Sequence, residues 1–138
     1  MKPIADIIMV DKQAEATAKK LFEDLYNRVI PSDSLNAALR SGKLDRPHID
    51  NTQTGTEFSY AWIYAHSFPV DNAAIYVWAI RRTGTTRWTT FFSTDNEIKI
   101  IFLYFNVSYD IRVMAIGNLL IKSAWSAIVP VLTATAPK

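Results

Sequence analysis

From Glu57 onward the apolar residues of this chain recur at every second position. The first such stretch, "EFSYAWIYAH" (57–66), places Phe58, Tyr60, Trp62 and Tyr64 on one side and Ser59, Ala61, Ile63 and Ala65 on the other. Side chains alternate across a strand, so this period argues against a helix. The pattern predicts strands near 57–65, 73–82, 86–93, 97–106 and 109–116. "PVDN", "TGT" and "TDN" separate the first four, and turns use such residues for φ freedom or local side-chain hydrogen bonds. Consecutive strands with short links predict an antiparallel meander. Strand 97–106 is apolar on both faces after Lys99, which predicts an interior position in the sheet.

Upstream the period is helical. Ala14, Ala18, Leu21, Phe22, Leu25 and Val29 form one stripe, predicting a helix over about 12–29 with Asp11 as N-cap and Pro31 as stop. "SDSLNAALRSG" reads as a second short helix closed by Gly42. Residues 43–56 hold two large apolar residues, Leu44 and Ile49, and read as a loop. The opening "MKPIADIIMV" suits a strand added to a sheet edge or a segment that docks on a neighbour. Over 119–129 two readings compete: a strand after a Gly117-Asn118 turn, or a helix stopped by Pro130. The spacing favours the helix. The tail "TATAPK" reads as loose. The expected class is α+β: N-terminal helices, then a curved antiparallel meander of about five strands, in one domain spanning 1–138.

Apolar types make up 49% of the 138 residues and charged types 20%, which excludes disorder by composition. There is no cysteine, so disulfides, thiolate catalysis and cysteine metal sites are excluded. No signal-peptide pattern opens the chain, and apolar runs such as Ile100 to Phe105 are far too short to cross a bilayer. Localisation stays undecided. Residues 1–80 carry 8 basic and 10 acidic side chains, whereas 81–138 carry 7 and 3, so the halves differ in sign and could attract one another between copies.

Alternation also pairs Tyr76 with Trp78, Trp88 with Phe92, and Phe102 with Tyr104. In simple meander register these rings join Phe58, Tyr60, Trp62 and Tyr64 on one side. Ala61, Ile63, Ile75, Val77, Ala79, Phe91, Ile101 and Leu103 occupy the other. Both faces are then too apolar to stay wet, since each large ring buries on the order of 150–250 Å². Two helices cover one face only. The ring face is therefore expected to be buried, with part of the sheet covered by association.

Chemistry is sparse. His48 lies with Asp45 and Asp50, and His66 with Asp71, at spacings that match no metal site; no metal or cofactor is expected. Asp95 and Glu97 read as turn residues, and Glu57 could stand at a pocket mouth. No nucleophile elbow, phosphate loop or dinucleotide fingerprint occurs, so no catalytic residue is assigned. "RRTGTTRW" gathers Arg81, Arg82 and Arg87 beside Trp88 near one hairpin end. Such a cluster suits a solubilising tip, a phosphate or nucleic-acid contact, or an acidic patch on another subunit.

Three functions follow. The first is a non-enzymatic assembly or binding protein that packs aromatic sheet surface against its own copies, a homo-oligomer. The second is a pocket protein, enzymatic or not, for a small apolar or ring-shaped ligand. The third contacts nucleic acid through the Arg81–Trp88 hairpin. The candidate contact residues are Phe58, Tyr60, Trp62, Tyr64, Tyr76, Trp78 and Trp88, with Arg81, Arg82 and Arg87 for phosphate.

Overall fold

The structure, a computed structural model, describes residues 9–27, 44–117 and 121–137. Its elements are a helix, α1 (Lys12–Asn27), and seven strands: β1 (Ile49–Glu57), β2 (Tyr60–Ser67), β3 (Ala73–Arg82), β4 (Thr89–Ser93), β5 (Glu97–Leu103), β6 (Ser108–Gly117) and β7 (Val129–Leu132). They form two antiparallel sheets, ordered β1-β2-β5 and β4-β3-β6-β7. This is a β-sandwich with one helix among the described residues, not an α+β fold of helices and a single meander. The predicted second helix and the first eight residues lie outside the described residues.

Pairing overturns the meander. After β4 the chain does not turn back beside it. The link 94–96 carries β5 to the other sheet, where His66 pairs with Glu97 and Ala65 with Ile98. The link 104–107 then returns the chain to β6, which pairs with β3 from Ala73–Gly117 to Arg82–Tyr109. Strand 97–106, expected in an interior position, ends at Leu103 and lies at one end of the three-stranded sheet. Met9 bonds to Ile101 there, with backbone N–H···O distances of 3.3 and 2.8 Å, so the end of the N-terminal segment adds to this edge.

The stretch expected as a loop holds β1. "IDNTQTGTE" pairs with β2 along its whole length. Its threonines are β-branched and suit a strand, although the apolar alternation is missing. At the other end, residues 123–128 are neither helix nor strand. They run along β6, where Ser123 and Ser126 hydroxyls accept hydrogen bonds from the backbone N–H groups of Ala115 (2.8 Å) and Val113 (3.0 Å). Serine side chains thus supply acceptors that a strand's carbonyls would otherwise provide. The tail is not loose at its start: Thr133 is buried, and its hydroxyl donates to the carbonyl of Tyr104 (2.6 Å) while accepting from the N–H of Val107 (2.9 Å).

The core lies between the sheets. Ala61, Ile63 and Ala65 of β2 are completely buried, together with Ile100 and Leu103 of β5. From the second sheet Tyr76, Trp78, Ile80, Tyr109, Ile111 and Val113 join the same cluster. Small side chains on β2 leave room for large ones on β3 and β6 across the gap of about 10 Å that separates packed sheets. Trp78 is wholly buried, and its indole N–H donates to Ser93 Oγ at 2.8 Å. Tyr109 closes the link 104–107: its hydroxyl accepts from the N–H of Tyr104 at 3.0 Å.

Helix α1 covers the outer face of the four-stranded sheet. Leu21 and Phe22 pack on Ile75, Val77 and Ile116, and Phe22 meets Phe92 at a ring-centroid distance of 5.2 Å. Asp11 caps the helix, its Oδ1 accepting from the N–H groups of Gln13 and Ala14.

Candidate interaction surface

The ring face of β2 points outward. Tyr60, Trp62 and Tyr64 are half-buried, while the alternate residues face the core. The expected burial of this face is therefore corrected: within one chain it forms the outside of the three-stranded sheet. Phe58 lies in the two-residue turn joining β1 to β2 and is 96% exposed. Tyr76 and Trp78 do not share this face, because they sit on the other sheet and point inward.

One residue of β5 does join the rings. Ala61 pairs with Leu103 and Ile63 with Ile100, so two residues of β5, Ile101 and Phe102, oppose Trp62 alone. This bulge lets both Ile100 and Leu103 face the core. It also brings Phe102 against Tyr60, edge-on at a centroid distance of 4.6 Å. Phe102 has φ 62° and Phe58 φ 44°. Bulky residues rarely adopt this left-handed region, at a cost on the order of 1–3 kcal/mol each. Two strained phenylalanines therefore flank Tyr60. The ammonium of Lys99 lies 4.7 Å from the Trp62 ring centroid.

A groove of about 500 Å³ opens between the first turns of α1 and this face. Asp11, Glu15, Glu57, Asp95 and Glu97 line it, with Lys99 the one basic lining residue among the described residues. The Tyr60 hydroxyl donates to Glu57 Oε2 at 2.7 Å, and the Tyr64 hydroxyl donates to Glu97. Both phenols are harder to ionise for that reason. The bond to Glu97 pushes Tyr64 up to about 12, and the bond to Glu57 raises Tyr60. Beside Glu97, His66 Nδ1 and Asp50 Oδ1 are 2.6 Å apart. His48 and Asp71 line a second groove, of about 390 Å³, with Asp45 and Arg46, while His66 is not among its lining residues. Among the described residues no three His, Asp or Glu side chains are grouped to hold a metal ion.

The arginines of the basic hairpin divide. Arg81 Nε donates to Asp110 Oδ2 at 3.1 Å, and its guanidinium lies 4.2 Å from the Trp88 ring centroid. Arg112 stacks on Trp88 at 4.2 Å and on Trp125 at 4.3 Å. Trp88 is thus shared by two arginines. Burial, then Arg81, hold the Arg112 guanidinium below its usual range. Arg82 lies over Tyr104 at 5.2 Å, and Arg87 is exposed in the link between β3 and β4. The pairing of β3 with β6 brings Arg81 to Asp110, and the run of 123–128 along β6 brings Trp125 to Arg112; neither meeting has a local signal in the sequence.

The chain matches no family model and no curated protein. Among solved structures it is similar to a fibronectin type III domain derived from the human KIAA0970 protein, with TM-score 0.54 and 17% identity over 79% of this chain and 86% of that one. It is also similar to the fibronectin type III domain of the human collagen alpha-1(XX) chain, with TM-score 0.52 and 15% identity over 71% of this chain and 92% of that one. The inward tryptophan on the third strand and the tyrosine that closes the corner before the sixth are recurring devices of such sandwiches. The described residues therefore form a β-sandwich resembling fibronectin type III domains, and the likeness is one of fold.

Proposed function

We propose that the protein is a non-enzymatic interaction domain that assembles with its own copies through the outer ring face of the β1-β2-β5 sheet. Phe58 is the observation that carries this reading. Two-residue hairpin turns favour glycine or asparagine wherever φ is positive. Here a phenylalanine holds that position and buries almost nothing within the chain. Neither backbone preference nor internal packing accounts for it. An apolar partner surface would. Phe102 repeats the pattern beside Tyr60, and Tyr60, Trp62 and Tyr64 extend the patch. Tyrosine and tryptophan suit such surfaces, because they present large area at low conformational cost and keep a polar tip for water.

The experiment is light scattering during size exclusion over a hundredfold concentration range. The expected mass rises above the 15.6 kDa of one chain as concentration increases. Phe58→Asn separates surface from stability. It removes the ring and suits the backbone, so association weakens while the dilute chain melts no earlier. A wild-type chain that stays monomeric throughout would end this reading. The carboxylates of the adjoining groove suit a cationic group better than an apolar ligand.

A further inference from the structure

Resting on that reading, we infer that the groove beside α1 receives the arginine hairpin of a second copy. The groove is built for a guanidinium. Tyr60 and Tyr64 each hold one carboxylate, of Glu57 and Glu97, through a phenol hydrogen bond. A carboxylate fixed through one oxygen keeps the other as an acceptor and loses little freedom when it pairs. Glu15 adds an Oε2 that is buried and has no hydrogen-bond partner among the described residues. Lys99, the one basic lining residue among the described residues, is drawn over Trp62, and Lys19 Nζ lies 3.6 Å from the other oxygen of Glu15. Tyrosine walls and the Phe92 ring offer flat surfaces on which a planar guanidinium stacks.

The hairpin has the complementary chemistry. Residues 81–94 contain three arginines and no acidic residue. Residues 82–87 are all exposed. Arg81 is committed to Asp110, whereas Arg87 makes no ion pair among the described residues.

Geometry decides which copy supplies it. The hairpin lies before β4 and the groove residues Ser93 to Asp95 follow it. None of residues 81–88 is among the residues that line the groove of their own chain. The contact is then one between copies, reciprocal in a two-fold dimer or repeated in one direction in a ring or an open filament.

The test is a charge swap read by light scattering at 50 mM and 500 mM NaCl. Arg82→Glu with Arg87→Glu, and separately Glu57→Lys with Glu97→Lys, should each weaken association at least tenfold at low salt. Mixing the two variants in equal amounts should restore it, because each altered hairpin then meets an altered groove. Arg87→Glu alone changes only an exposed link and keeps the test valid if the groove variant fails to fold. If the wild type associates, and neither charge variant nor salt alters it while Trp62→Ala dissolves it, the hairpin-to-groove contact is wrong and the ring-face assembly stands. A wild type that is monomeric at every concentration overturns both.

Discussion

The indole of Trp62 rests against the backbone of Gly55 on the neighbouring strand. A Cβ at position 55 would overlap the six-membered ring. The two residues are register partners, and the missing side chain lets the ring lie along the sheet. Gly55→Ala should therefore displace the indole without unfolding the sandwich. The expected outcome is a changed tryptophan emission, a circular dichroism spectrum like the wild type's, and weaker association.

The two strand tryptophans should respond unequally to truncation. Trp78 is wholly buried and hydrogen-bonded to Ser93, so Trp78→Ala should cost about 3–5 kcal/mol, as large-to-small core changes do. Trp62 is half-buried on the outer face, so Trp62→Ala should cost the dilute chain far less. Urea denaturation of both variants at low concentration checks this. Equal losses would mean that the outer face is packed within one chain.

Tyr109→Phe removes one oxygen and leaves the N–H of Tyr104 without its acceptor. An unsatisfied buried donor costs about 1–3 kcal/mol. The loss should appear as a lower denaturant midpoint with an unchanged slope.

Arg112 is held between Trp88 and Trp125. A lysine keeps the charge but cannot stack a plane on two rings. Arg112→Lys should destabilise by about 1–2 kcal/mol, in the range of desolvated cation–π contacts. Thermal melts of Arg112→Lys and Arg112→Met test whether stacking or charge dominates; loss in both variants identifies the planar stack.

Tyr64 predicts a pH response. Its phenol is pushed up to about 12 by the Glu97 carboxylate, above the value near 10 of an unfolded tyrosine. The folded state then holds this proton more tightly than the unfolded state. The stability it contributes is complete below pH 10 and is lost as pH rises toward 12. Glu97→Gln should bring the Tyr64 ionisation back toward 10, seen as earlier tyrosinate absorbance near 295 nm.

Local rules made much of the chain readable. Strand β3 spans the 73–82 stretch whose alternation marked it, and Asp11 caps α1 as its carboxylate implied. Period and turn chemistry act over a few neighbours, so one chain of letters carries them. β1 escaped because its face is threonine and glycine rather than apolar, a signal that β-branching alone could have raised. The segment 121–128 escaped because Ser123 and Ser126 bond to a strand that precedes them, and helical spacing there is coincidental.

Partner choice was beyond such rules. Alternation says that two faces exist, not which strand lies beside which or which face meets water. The links 68–72, 94–96 and 104–107 look like hairpin turns, yet each changes sheets, and these crossings turned a meander into a sandwich. Once two sheets stack, the space between them is set by volume. Trp78, Tyr76 and Tyr109 fill it from one side, so the small residues of β2 must face them. The rings at 60, 62 and 64 were thereby left outside, with Phe58 at the turn and Phe102 brought alongside by a bulge. Burial of a ring face depends on what lies opposite it, and long-range pairing alone supplies that neighbour.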